Sequence, residues 1–252
     1  MKYKMEQNNE WLIGKNALKE GIAAGKRIQK VYLSDTLDNE TLKELLKLIR
    51  AQKISVLVVP KSKLDRLNRS NHQGVLASIS PIQFYKTMDL VTHIYEQGQH
   101  PALALLDGIT DVHNFGAIAR SAEIFGLGGI IIGNKNSAPV NYEAIKSSAG
   151  ALLQIPVCKE NNLLHTIKEL KAQGFVVIGA DEKAEQTIEQ LDMTEPCVMV
   201  FGSEGEGISY DIKNTLDQHV KIPQIGKINS LNVSVSAGIF FYEWMKQNNQ
   251  KK

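Results

Sequence analysis

Apolar and polar positions along the chain switch repeatedly between a period of two and a period near 3.6, so strands and helices are expected to alternate. Residues 15–24 read as a helix and 28–33 as a strand. In 41–50 the apolar residues Leu42, Leu45, Leu46 and Ile49 fall at helical spacing. Residues 54–59 form a continuous run rich in β-branched side chains, the pattern of a buried strand. Pro60 stops that run, a short helical stretch follows, and 75–79 is another strand. The expectation is a compact α/β unit of about 80 residues, near the lower end of domain size. Residues 82–100 are mixed and read as a linker running into a helix, with the boundary placed near residue 82. Beyond it, strands are predicted at 102–106, 129–132, 175–179, 197–201 and 219–222. Helices are predicted at 115–125, 163–172 and 209–216, and a long one at 231–247 closes the chain. Such alternation argues for a mostly parallel sheet covered on both faces, with ligands bound beyond the carboxyl ends of its strands.

Composition adds little until the charge is mapped. An apolar share of 43% in 252 residues is that of a globular chain, so wholesale disorder is excluded and one large or two smaller domains are expected. The net charge of +2 names no partner. Residues 1–80, however, carry 15 Lys/Arg against 8 Asp/Glu, a net of +7, while the remainder is net −5. A basic front half, including Lys15, Lys19, Lys26, Arg27, Lys30, Lys61, Lys63, Arg66 and Arg69, fits contact with a polyanion. A solvated lysine-rich surface would look the same. Cys158 and Cys197 are too few for a disulfide framework or a four-thiolate zinc site; a single bridge is open to them, and two buried free thiols are the favoured expectation. No apolar run approaches the roughly 18 residues of a membrane span, and the first ten residues lack the apolar core of a secretion signal. A cytoplasmic, soluble protein is expected.

Common chemical signatures are missing. There is no phosphate-binding G-x-x-x-x-G-K-[ST] loop, no G-x-S-x-G elbow and no H-E-x-x-H. No G-x-G-x-x-G follows the strand ending near Leu106, so an ordinary dinucleotide site is unsupported. The six histidines show no ligand spacing.

Three loop segments stand out, each near the end of a strand. In the first, 106–120, Asn114 can cap the following helix, Gly116 leaves room for a close approach, and Arg120 lies within two turns. For Arg120 a surface pair with Glu123 is the plain structural alternative. In the second, V198-M-V-F-G-S-E-G-E-G-I-S209, a buried strand feeds three glycines interleaved with Glu204 and Glu206. The carboxylates would repel a phosphate, so the loop suits a cationic or zwitterionic ligand, or is simply a tight turn. In the third, 221–239, the run S230-L-N-V-S-V-S-A-G238 opens the last helix, so N–H groups and small polar side chains can face a ligand.

Together the segments N114-F-G-A-I-A-R120, F201-G-S-E-G-E-G207 and I222-P…S230-L-N-V-S-V-S-A-G238 resemble the three motifs of the SpoU/TrmH-type RNA ribose methyltransferases of the SPOUT superfamily. K146-S-S-A-G-A151 resembles the segment between the first two. W11-L-I-G-K-N-A-L18 and N71-H-Q-G-V-L-A77 are similar to the L30e-like substrate domain of the RlmB-type rRNA branch. Val112 departs from the pattern, since many relatives carry proline there. The last few residues are unmatched and expected to be disordered.

The resemblance implies an L30e-like α/β RNA-binding domain over 1–81, a linker over 82–100 and an α/β methyltransferase domain over 101–248. It implies a mostly parallel sheet with a deep trefoil knot, against the general rule that chains do not knot. The implied cofactor is S-adenosyl-L-methionine, held by Gly202, Ile222 and Leu231 with Val200, Pro223 and Ser230 beside them. The implied partners are RNA, a guanosine of 23S rRNA in this branch, and a second copy of the chain in a homodimer. No metal is called for. Arg120 is implied as the catalytic residue, with Asn114, Glu204, Ser230 and Asn232 positioning the ribose, Arg120 and the cofactor. Because arginine stays protonated in proteins, it acts either as a transient base helped by a substrate phosphate or as an electrostatic clamp. A tRNA ribose methyltransferase and a non-catalytic RNA-binding or ribosome-assembly factor remain the alternatives.

Overall fold

The computed structural model describes residues 11–228 and 230–249. The expectations for the extreme N-terminus and for the last few residues fall on 1–10 and 250–252, outside the described residues. The chain divides into two compact units after Ile82.

The first unit runs β1 (Trp11–Ile13), α1 (Lys15–Ala23), β2 (Ile28–Ser34), α2 (Asn39–Ala51), β3 (Ser55–Val59), α3 (Lys61–Leu67) and β4 (Val75–Ile79). Its sheet has the order β1-β4-β2-β3, with β2–β3 parallel and the two pairs made by β4 antiparallel. Alternation along the strands serves two faces. Val31, Leu33, Val75 and Ala77 pack with Leu18 of α1 and with Leu45 and Ile49 of α2. Leu76 and Val59 instead join Leu64 of α3. The 41–50 periodicity is thus the buried stripe of α2, whose start is capped by Asp38 accepting from the Thr41 N–H at 2.8 Å. The reading of 54–59 as a buried strand needs correction. β3 is the sheet's edge, and its Leu57 and Val58 are exposed. A continuous apolar run does not distinguish a covered strand from an apolar edge.

The second unit runs β5 (Phe84–Tyr85), α4 (Thr87–Glu96), β6 (Ala102–Leu106), α5 (Val112–Ile124), β7 (Gly129–Gly133), α6 (Tyr142–Ser147), β8 (Val157–Glu160), α7 (Leu163–Ala172), β9 (Val176–Ala180), β10 (Gln186–Thr187), β11 (Cys197–Phe201), α8 (Tyr210–Lys213), β12 (Gln218–Lys221) and α9 (Val233–Asn249). Its eight strands lie in the order β10-β12-β9-β11-β6-β7-β8-β5, and every pairing is parallel. The expected mostly parallel sheet is therefore present. The segment expected as a linker is part of it: β5 adds an edge strand beside β8, and Leu90, Val91 and Ile94 of α4 enter the core. Glu160 at the end of β8 fastens that corner by accepting from the Thr87 N–H at 2.9 Å.

The central strands β6, β7 and β11 are buried along their whole length. One face of the sheet packs Leu103, Leu105, Val198 and Val200 under α4, α7 and α8. On β11 the last residue, Phe201, turns the other way and meets Phe240 and Phe241 of α9 edge-on at 5.5 and 5.6 Å. Such aromatic pairs contribute about 0.5–1.5 kcal/mol each beyond burial, and the two contacts hold the middle of α9 against the end of β11. β6 and β11 are neighbours, and β6 leads on toward β7 on its other side. The strand order reverses at that point, which is where open parallel sheets leave a crevice at their carboxyl ends.

Candidate active site

The loops following β6, β11 and β12 meet at this crevice. After β6, Asp111 rather than Asn114 caps α5, its carboxylate accepting from the Asn114 N–H at 2.8 Å. The expectation that Asn114 is the cap is corrected accordingly: Asn114 sits in the first turn, with its side-chain amide released for other partners. Val112 is the first helical residue, a position where proline is favoured because its missing N–H is an orphan anyway, so valine costs little there. The close approach at Gly116 is to α6. A Cβ at that position would run into the Ser147 side chain and come within 2.9 Å of the Ser148 backbone nitrogen.

After β11 the chain makes a short hairpin closed by two backbone bonds, Ser203 N–H to Gly207 C=O at 3.1 Å and Gly207 N–H to Ser203 C=O at 3.0 Å. Gly205 and Gly207 take left-handed φ values of 102° and 71°, which glycine adopts without a Cβ penalty. A side chain on Gly202 would collide with the Gly207 carbonyl carbon and the Ile208 nitrogen, so the hairpin closes only over a bare Cα. Asp107, at the end of β6, accepts from the Ser209 N–H at 2.7 Å and ties the far side of the hairpin to the neighbouring strand.

The hairpin presents Glu204 to two amides. Its Oε1 accepts from Asn114 Nδ2 at 3.0 Å and from Asn232 Nδ2 at 2.7 Å, while Asn232 Nδ2 also donates to Asn114 Oδ1 at 2.9 Å. Asn232 Oδ1 in turn accepts from the Ser234 N–H at 2.9 Å and caps α9. One asparagine therefore serves as helix cap and as bridge among three loops. The structure brings Asn114, Glu204 and Asn232 into one network. It leaves Arg120 out of that network. Arg120 is exposed, farther along α5, and pairs neither with Glu123 nor with any other carboxylate among the described residues.

Beside the network lies an open cleft of about 520 Å³, within the range of small-molecule sites. Gly202, Ile222, Ser230 and Leu231 line it, together with Glu206 and with Asp181 and Lys213. Val200 and Pro223 do not. Val200 is fully buried in the sheet between β6 and β9, and Pro223 stands outside the lining. Sequence reasoning missed Asp181, which has no motif around it. Its carboxylate pairs with Lys213 of α8, faces His219 at 3.7 Å and holds the Lys183 N–H at 3.1 Å. Burial raises the Asp181 carboxyl, but Lys213, the Lys183 N–H and His219 together outweigh it and keep it below the ordinary carboxylate range. The ion pair links the loop after β9 to the helix after the glycine hairpin, the two walls of the cleft. Bare backbone at Gly202, Gly205 and Gly207 and acceptor carboxylates on the rim make a lining suited to a ligand bearing positive charge.

Both units of the chain are similar to known proteins. Residues 101–242 match the model of the SpoU rRNA Methylase family, and residues 11–85 match that of the RNA 2'-O ribose methyltransferase substrate binding domain. A TrmH family protein of Staphylococcus saprophyticus is 37% identical, over 94% of this chain and 96% of its own. YacO of Bacillus subtilis, also of the TrmH family, is 33% identical over 97% and 98%. Among solved structures, the SpoU methyltransferase AviRb from Streptomyces viridochromogenes with bound AdoMet has the same fold, with a TM-score of 0.59 at 21% identity over 96% of this chain and 94% of that one. The chain thus belongs to the SpoU methylase family of RNA methyltransferases.

Proposed function

We propose that the protein methylates a ribose 2′-hydroxyl of RNA, in large-subunit (23S) rRNA and at a guanosine. The observation that carries this reading is the Asn114–Glu204–Asn232 network, set at the cleft, with Asn114 on the same helix as the unpaired Arg120. The cleft takes S-adenosylmethionine through Gly202, Ile222, Ser230 and Leu231, with Val200 and Pro223 acting only by holding their neighbours in place. When bound, the cofactor supplies a methyl carbon already activated by its sulfonium. The chain's own residues do the rest. Glu204 fixes both amides, Asn114 retains a free N–H to orient the ribose, and Ser230 stands at the cleft edge beside them. Arg120 clamps an RNA phosphate and stabilises the negative charge that develops on the ribose oxygen.

The expected L30e-like domain, residues 1–81, selects the RNA. Supporting this are its match to a substrate-binding model and its net positive charge, with Lys15, Lys26, Arg27, Lys61, Lys63, Arg66 and Arg69 exposed. The names of relatives cover both tRNA and rRNA, and the L30e-like front unit favours rRNA. A homodimer and a trefoil knot belong to the same proposal. Leu231, Val235, Tyr242 and Ile124 leave apolar surface exposed on and around α9, a surface that a second copy would cover. α9 returns from β12 to pack against α5 and β11, as a knotted thread would. An rRNA substrate places the enzyme in the cytoplasm. The test is methyl transfer from labelled S-adenosylmethionine to unmodified transcripts of large-subunit rRNA and of tRNA, assayed separately. Label on rRNA alone supports the reading, and label on tRNA alone overturns the role given to the front unit.

A further inference from the structure

Tyr210, the first residue of α8, is the most exposed aromatic side chain among the described residues, at 77% of its full accessibility. It meets no other ring, and its hydroxyl has no hydrogen-bond partner among them. Its backbone, by contrast, is fixed on both sides. The preceding Ser209 N–H is held by Asp107 at 2.7 Å, and the Tyr210 carbonyl accepts from the Asn214 N–H at 3.1 Å. The result is a ring free in solvent on a rigid base. That base stands directly after Gly207 and Ile208, which line the cleft. The anchoring Asp107 opens the loop that leads into α5, the helix carrying Asn114 and Arg120. The preceding glycine hairpin is open as well, since a Cβ on Gly205 or Gly207 would meet nothing within 4 Å.

We propose that Tyr210 is a stacking platform for an unpaired base of the substrate RNA, placed at the rim of the cofactor cleft. The inference rests on the reading of the chain as an RNA methyltransferase. A flat ring with its edges bare suits a nucleobase because every base presents a π-face, and fixing the backbone lowers the entropy lost when the base docks. Stacking brings no base preference by itself. Tyr210 therefore adds affinity and holds the flanking chain still while other contacts choose the nucleotide.

The test uses the full chain and unmodified transcripts of large-subunit rRNA and tRNA. RNA affinity, kcat/KM for methyl transfer and S-adenosylmethionine affinity are measured for the wild type, Tyr210→Phe and Tyr210→Ala. The alanine variant is expected to lose about fivefold to a hundredfold in RNA affinity and in kcat/KM. The phenylalanine variant should recover most of that loss, and cofactor affinity should stay within about twofold in both. Unchanged RNA binding in Tyr210→Ala overturns the proposal. So does an equal loss in both variants, which would assign the effect to the hydroxyl, or a change of oligomeric state in Tyr210→Ala, which would assign the ring to a protein interface. If the wild type binds RNA but transfers no methyl, the enzymatic reading fails while the binding ratio of the variants still decides the role of Tyr210.

Discussion

Asn232 donates to Glu204 at 2.7 Å while capping α9 with the carbonyl end of the same amide. The helix cap and the site network are thereby one object, and the carboxylate orients the amide that both depend on. Glu204→Ala removes the acceptor shared by Asn114 and Asn232. Glu204 is exposed, so the loss of stability should be small, about 1 kcal/mol or less. The loss of function should be large. Methyl transfer is expected to fall at least about a hundredfold, as read from kcat/KM beside a denaturation curve. A variant that is destabilised but equally active would show that the network is only structural.

Asp111 is the cap whose presence frees Asn114. Asp111→Ala should cost about 1 kcal/mol of stability, measured by chemical denaturation of the second unit's transition. Asp111→Asn, which retains a capping oxygen, should recover most of it.

Gly202→Ala tests the closed hairpin. The added methyl would meet backbone atoms of Gly207 and Ile208, which cannot turn aside as a side chain can. Cofactor binding measured by calorimetry should be lost or weakened more than tenfold, while the first unit retains its own fold.

Cys158 and Cys197 carry a pH prediction. Burial pushes both thiols up to about 12 from an ordinary 9.0; for Cys158 it outweighs the opposing hydrogen bond from Thr87. A folded-state pKa raised above the unfolded one stabilises the fold fully below the unfolded value, and that contribution is lost as pH rises through the folded value. Stability should therefore fall between pH 9 and about 12, less steeply in Cys197→Ala than in the wild type. At pH 8 neither native thiol should react with a thiol reagent on the timescale on which both react in guanidinium chloride.

Much of this architecture is legible in the residues alone, and the exceptions have causes. β6 and β11 read correctly because each is an uninterrupted apolar run bounded by turn residues. β5 and β10 span two residues each and β8 spans four, too short for any period to register. β3 misled because burial of a strand depends on its place in the sheet. The cap at Asp111 carried a signal, an acidic residue three before the helix position that it serves, but Asn114 competed for the same reading. The network among Asn114, Glu204 and Asn232 could not be seen as geometry, since the hydrogen bonds join residues 90, 118 and 28 positions apart. Only the resemblance placed these residues in one site. The Asp181–Lys213 clasp had no sequence signature, because it depends on how the loops after β9 and β11 face each other.

Ribose methylation assisted by Arg120 is read most directly from the identity of the methylated nucleoside. Wild type and Arg120→Ala are incubated with labelled S-adenosylmethionine and large-subunit rRNA, the RNA is digested to nucleosides, and cofactor binding is measured on the same preparations. The wild type should yield a 2′-O-methylnucleoside and Arg120→Ala none, with cofactor affinity largely unchanged. Label on a base, or equal ribose methylation by Arg120→Ala, would contradict this.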